Sequence, residues 1–315
     1  METKLIIDNQ SVAASGGATF DRIHPTTGEV VTRAAAGSVR DAEAAVDSAQ
    51  IAFQSWSATG PTERRRILLK AADLLEARTP QFIEVMAKEV GASDLWAGFN
   101  VMLAANLFRE AASLATQIQG ETIPTDKPGA LSMTVRQPVG VILSIAPWNG
   151  PVVLAARAIA YPIVCGNTVV FRASETSPKT HALIVEALVE AGLPPGVVNI
   201  ITNAPQDAPE VIDALISHKS VRRINFTGST RVGRIIAEKA GRHLKRCLLE
   251  LGGKSPLVVL DDEIFRTHTW YRDGKPHWAY DTPYFIKTTR RDWIEWTPNV
   301  ITSKVVVEDN KAHVA

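Results

Sequence analysis

The sequence predicts an α/β protein built on a doubly wound parallel sheet. Three observations carry that expectation. From Val139 onward, short apolar runs alternate with stretches of helical period. The runs are continuous rather than alternating, as in strands buried on both faces. Each run also ends in a polar or glycine-bearing segment, where such sheets bind ligands.

The first 35 residues read as short strands and turns, with Pro25-Thr26-Thr27-Gly28 a turn signal. Ser38 and Asp41 have capping-box spacing, and Ala42, Val46, Ala49, Phe53 and Trp56 then recur at helical intervals. Gly60-Pro61 ends that helix, and Ile67, Leu68, Ala71, Leu74 and Leu75 mark the face of a second. A third helix is predicted over about 80–90 and a fourth over about 95–117, with a hairpin strand over 131–137. Beyond these, strands are predicted over 139–145, 168–171, 197–201, 223–226 and 247–251. Helices over 151–164, 178–191, 208–217 and 229–240 connect them. Pro256–Leu260 supplies one more apolar run.

Composition excludes several classes of function. Hydrophobic residues make up 45% and charged residues 21%, as in ordinary globular chains, and the formal net charge is +1. That balance gives no electrostatic case for nucleic acid or an anionic membrane. No apolar run reaches membrane-spanning length, and Met1–Gln10 has no leader pattern, so a soluble cytoplasmic protein is expected. Two cysteines, Cys165 and Cys247, and seven scattered histidines form no metal-type spacing.

Four segments stand at strand ends. In Ala146-Pro147-Trp148-Asn149, the Asn149 amide can donate to a developing oxyanion, or serve as a turn residue. In Phe171-Arg172-Ala173-Ser174-Glu175, Arg172 and Glu175 can meet ribose hydroxyls, or form a solvated loop ion pair. Phe226-Thr227-Gly228-Ser229-Thr230-Arg231-Val232-Gly233 turns from strand to helix, where free N–H groups can receive a pyrophosphate. Ser229 can equally be only a helix cap. Leu249-Glu250-Leu251-Gly252-Gly253-Lys254 places a glutamate at the end of an apolar strand. Partial burial there tunes a carboxyl toward general-base work, and the glycines let backbone approach a ligand. A harmless turn glutamate is the alternative.

In this order and spacing the four segments resemble the NAD(P)-dependent aldehyde dehydrogenase superfamily over about residues 1–262. His24-Pro25-Thr26-Thr27-Gly28-Glu29 and the helices after it add to the match. The resemblance implies a Rossmann-like dinucleotide-binding domain over 1–255, with an oligomerisation hairpin at 118–138. It also implies that 256–262 begin a truncated catalytic domain. Asn149 becomes the oxyanion donor and Glu250 the base that activates water. Gly228 and Ser229 fall at the cofactor phosphates, Val232 against the adenine, and Arg172 and Glu175 at the adenosine ribose. Trp148, Ser174, Leu251 and Gly252, within the same motifs, complete the cofactor set.

With Glu175 at the ribose, a 2′-phosphate meets an uncompensated carboxylate, so NAD is expected over NADP, although Arg172 replaces the family's usual lysine. Gly150 stands where the family often carries Phe. Its small size is expected to widen the pocket mouth for a bulky aldehyde, and Arg157 then contacts a polar ring substituent or forms a structural ion pair. The stretch from Trp148 to Glu175 is similar to salicylaldehyde and related aromatic-aldehyde dehydrogenases. The implied partner is therefore a small aromatic aldehyde, with homo-oligomers the family habit.

The family nucleophile is a cysteine downstream of the Glu-Leu-Gly-Gly segment, and no cysteine follows Cys247 in these 315 residues. Cys165 and Cys247 read as buried structural thiols. Residues 263–315 hold four of the seven tryptophans and three of the four tyrosines, and leave the family register. Their eight Lys/Arg against seven Asp/Glu argue against a nucleic-acid patch. The expectation is an aldehyde dehydrogenase by descent with an unassigned aromatic tail and little activity alone. A non-catalytic, subunit-like NAD-binding remnant and a frameshifted or fused product are the alternatives.

Overall fold

The computed structural model describes residues 1–253 and, beyond them, the backbone of four short strands. The predicted run Pro256–Leu260 lies outside the described residues. Two compact units are present, Met1–Gly252 and Gly253–Ala315. In the second, Trp270–Arg272 pairs antiparallel with Lys275–His277, and Val305–Glu308 with Lys311–Val314.

The first unit opens with β1 (Glu2–Thr3), β2 (Leu5–Ile7), β3 (Gln10–Val12), β4 (Thr19–Ile23) and β5 (Val30–Ala35). Four helices follow: α1 (Val39–Ala58), α2 (Pro61–Ala77), α3 (Thr79–Val90) and α4 (Asp94–Leu114). β6 (Thr122–Ile123) and β7 (Ser132–Met133) form a short antiparallel pair. Then strand and helix alternate: β8 (Val141–Ile145), α5 (Pro151–Val164), β9 (Thr168–Arg172), α6 (Pro178–Glu190), β10 (Val198–Ile201), α7 (Ala208–Ser217), β11 (Val221–Thr227), α8 (Thr230–Arg242) and β12 (Arg246–Glu250).

The main sheet runs β12-β11-β8-β9-β10-β2-β3. Its five central and trailing strands are parallel, while β2 joins β10 antiparallel through Ile200 and Ile6. Side chains split by parity, as a pleated strand requires. Ile142, Val169 and Phe171 enter one core with Ile67, Phe82, Phe108, Ile159 and Leu183 from α2–α6. Val141, Leu143, Ile145 and Val170 enter the other with Val46, Val211, Leu215 and Ile236 from α1, α7 and α8. Helices therefore cover both faces, which is the doubly wound arrangement.

Local chemistry moves several predicted boundaries. β8 begins at Val141 because the N–H groups of Val139 and Gly140 donate to the Asn167 side chain at 2.7 and 3.3 Å rather than to a ladder. β11 starts early, at Val221, across a register shift before Arg223. α4 ends at Leu114, and Gln117 N donates to the Leu114 carbonyl in a turn. The capping relation expected at Ser38 is present: its N–H and hydroxyl both donate to Asp41 at 2.8 Å.

Candidate functional site

Register places the four strand-end segments level with one another. Arg172 pairs across from Ile145 and Ile201, Ile145 from Phe226, and Phe226 from Leu249. The chain therefore leaves β8, β9, β11 and β12 along one edge, at the carboxyl ends of the strands.

At the end of β8, Asn149 is exposed and Trp148 half-buried. The Asn149 carbonyl accepts from the indole N–H of Trp96 at 3.0 Å. Its side-chain amide has no partner among the described residues. Gly150, the N-cap of α5, is buried, and a Cβ there would stand 3.3 Å from Val153 Cγ1 and 3.4 Å from Asn100 Oδ1. Trp96 and Phe99 lie beside this turn with ring centroids 5.8 Å apart, both rings partly exposed. Sequence reasoning missed both. Their spacing on α4 resembles a core face, and only the contact to Asn149 separates them from it.

At the end of β9, Arg172 is buried rather than solvated, which corrects the expectation of an exposed loop pair. Its Nη1 lies 2.8 Å from Glu175 Oε2, and its Nε donates to Asn203 Oδ1 at 2.8 Å. The neighbouring strand ends hold the guanidinium out of water. Ser174 is buried too, its N–H given to His181 Nδ1 and its hydroxyl accepting from Thr176 N–H.

At the end of β11, Gly228 is dictated by packing, since a Cβ would meet the Phe226 ring at 2.5 Å. Ser229 caps α8, its hydroxyl accepting from Val232 N–H at 3.3 Å. The Gly228 N–H donates to the Glu250 carbonyl at 3.0 Å. Not every amide of this turn is free, then; those of Ser229, Thr230 and Arg231 have no partner among the described residues. Val232 is partly buried against the core under α8. Gly233 admits Leu251, whose Cδ2 would lie 2.4 Å from a Cβ there, and Gly252 lies near Thr230 Oγ1.

Glu250 is exposed, against the expectation of partial burial; among the described residues β12 is the outermost strand of the sheet, and its alternate residues face outward. Its carboxylate has no partner among the described residues. Arg157 forms no ion pair among the described residues; its Nη2 donates to Thr227 Oγ1 at 3.0 Å, tying α5 to the end of β11. Neither cysteine is buried. Cys165 is exposed and Cys247 half-buried, and both line a groove of about 960 Å³ that reaches Arg157 and Glu250 but not Asn149. Desolvation pushes both thiols up, at Cys165 against the pull of Arg64. Among the described residues no cluster of His, Cys, Asp or Glu is placed to hold a metal, and no helix is long and apolar enough to cross a membrane.

Residues 12–265 match the aldehyde dehydrogenase family. The chain belongs to that family. It is 68% identical to a salicylaldehyde dehydrogenase of Pseudomonas sp. (strain C18) over 262 residues, covering 83% of this chain and 54% of that protein. It is 58% identical to a vanillin dehydrogenase of Pseudomonas fluorescens over 262 residues, with the same coverage of 83% and 54%. A crystal structure of a salicylaldehyde dehydrogenase from Pseudomonas putida G7, complexed with salicylaldehyde, superposes with a TM-score of 0.82 at 67% identity. The match covers 83% of this chain and 54% of that one. The chain thus spans about half the length of the curated relatives it matches.

Proposed function

We propose that this aldehyde dehydrogenase chain forms the NAD-binding part of an aromatic-aldehyde oxidation site. The observation that carries this reading is the convergence of the four strand-end segments on one edge, cross-tied by Gly228 to Glu250 and Arg157 to Thr227.

The donor set suits a dinucleotide. α8 is a 13-residue helix whose start offers the N–H groups of Ser229, Thr230 and Arg231, unpartnered among the described residues, a site that favours a pyrophosphate. Val232 and Leu251 supply apolar surface beside it, and Gly252 adds no side chain. Glu175, steadied by Arg172, presents a carboxylate to ribose hydroxyls and repels a 2′-phosphate, which favours NAD over NADP. Buried Ser174 shapes this loop from within. Bound nicotinamide supplies a hydride acceptor.

The chain's own groups then take distinct parts. Trp96 fixes the Asn149 backbone, so the uncommitted side-chain amide can donate to a developing oxyanion. Glu250 accepts a proton from water at the end of β12. Trp148, Trp96 and Phe99 offer aromatic surface near Gly150, and Arg157 a cation for a polar ring substituent. Relatives named for salicylaldehyde and vanillin support that substrate class.

Cys165 and Cys247 are poor candidates for the family's nucleophile, because the groove that both line does not reach Asn149. The 315-residue chain is therefore expected to bind NAD but to oxidise aldehyde little by itself. We assign the β6–β7 hairpin, with Ile123, Leu131 and Met133 exposed, to contact with a second subunit. Incubating the chain with NAD and salicylaldehyde should yield almost no NADH. Robust turnover that survives Cys165→Ala and Cys247→Ala would overturn this part of the reading.

A further inference from the structure

A fifth strand end lies on the same edge as the other four. β10 stops at Ile201, level with Arg172, and Thr202-Asn203-Ala204 follow it, all three buried. This turn is pinned to the segment after β5. The Thr202 hydroxyl donates to the Ala35 carbonyl at 2.6 Å, and the Thr202 carbonyl accepts the Gly37 N–H at 2.8 Å. Asn203 itself has no exposed surface. Its Oδ1 accepts the Arg172 Nε–H at 2.8 Å, and its Nδ2 donates to the Ala204 carbonyl at 2.7 Å. A guanidinium can only donate and a carbonyl can only accept, so the amide has one orientation.

Arg172 carries the chain of contacts onward. Its Nη1 stands 2.8 Å from Glu175 Oε2, an oxygen closed to water although the Glu175 side chain is 36% exposed. The oxygen at the surface of the loop is therefore Oε1. With Nε held by Asn203 and Nη1 by Glu175, the planar guanidinium is fixed at two of its three nitrogens. The anchor at its back is a neutral acceptor. A leucine at 203 would leave Nε–H buried with nothing to accept it, and the guanidinium would have to turn to find a partner.

We propose that Asn203 is a positioning residue that sets the choice between NAD and NADP. It locks the Arg172 guanidinium, and through it the Glu175 carboxylate, so that the carboxylate and not the cation meets the ribose. This rests on the ribose role proposed above for Glu175. Asn203 lies behind the loop and acts only through Arg172.

The test compares the full chain with Asn203→Leu, which removes the acceptor, and Asn203→Asp, which keeps one. The Arg172 Nε–H resonance is followed by NMR, identified by its loss in Arg172→Lys, with thermal melting and titration with NAD and NADP alongside. The parent should show a protected Nε–H signal. In Asn203→Leu that signal should be lost to exchange. The preference for NAD over NADP should fall about fivefold, the change one hydrogen bond makes, because a released cation can meet a 2′-phosphate. Asn203→Asp should keep both the signal and the preference. A merely structural role would weaken both dinucleotides alike, so an unmoved ratio in Asn203→Leu overturns the proposal. So does an Nε–H signal that survives in Asn203→Leu. If Asn203→Leu does not fold, the parent and Asn203→Asp decide, and an unprotected Nε–H in either overturns the proposal. If the signals behave as stated but the parent binds neither dinucleotide, the lock on Arg172 stands and the ribose reading is what fails.

Discussion

The amide of Gly228 donates to the carbonyl of Glu250 at 3.0 Å, joining the turn before α8 directly to the segment that carries the candidate base. Strand pairing alone brings Thr227 opposite Glu250. The extra bond continues the ladder by one step past β11, so the two loops leave the sheet as one unit. Neither end can then shift without disturbing the other.

Gly228→Ala should disturb both. The added Cβ would press on the Phe226 ring, which is packed in the core, and overpacking of this kind costs about 1–3 kcal/mol. Thermal melting should show the loss, and NAD affinity should fall with it. A variant as stable as the parent would mean that the ring yields freely.

Asp41 gives a second, pH-dependent expectation. Burial pushes its carboxyl up, but hydrogen bonds from Ser38 and Ser15 outweigh this and hold it below the usual carboxylate range. A lowered folded-state value contributes stability above the ordinary value near 3.8, and that contribution is lost as pH falls through the lowered one. Asp41→Asn should therefore cost about 1 kcal/mol at neutral pH and progressively less in acid. Denaturant titrations at several pH values would check this; a pH-independent difference would contradict it.

His181 acts in a different window. Burial, and then the Arg172 cation, drive it from 6.5 down to about 3, so it stays neutral in the folded chain. The unfolded chain takes up the proton below about 6.5, and stability declines from there toward about 3. Between pH 6.5 and 5 the loss should be about 1.6 kcal/mol. His181→Asn should flatten that part of the stability profile. An unchanged slope would place the titration elsewhere.

Much of this fold was legible because it is local. α5 runs from Pro151 to Val164 as expected, since proline suits the first turn and Cys165-Gly166 ends the apolar stretch. The four site segments were legible as strand ends for the same reason. The docking of β2 on β10 was not, because it joins Ile6 to Ile200 across most of the chain. Exposure of Glu250 goes with β12 standing outermost among the described strands, which no local pattern reveals. His181 was one of seven scattered histidines until Ser174 was brought to it.

Arg172 and Glu175 make cofactor choice testable. Their 2.8 Å ion pair leaves a carboxylate at the loop and commits the guanidinium to Asn203 as well. Glu175→Gln should weaken NAD and relax discrimination against NADP, with the ratio of the two affinities falling severalfold. A ratio that does not move would remove Glu175 from the ribose site.

Equilibrium titration of the 315-residue chain with NAD and NADP asks whether the edge joined by Gly228 and Glu250 is an NAD site. Saturable quenching of protein fluorescence by NAD, tighter than by NADP and weakened in Gly228→Ala, is the expected result. No saturable binding of either dinucleotide, or tighter binding of NADP, would contradict it.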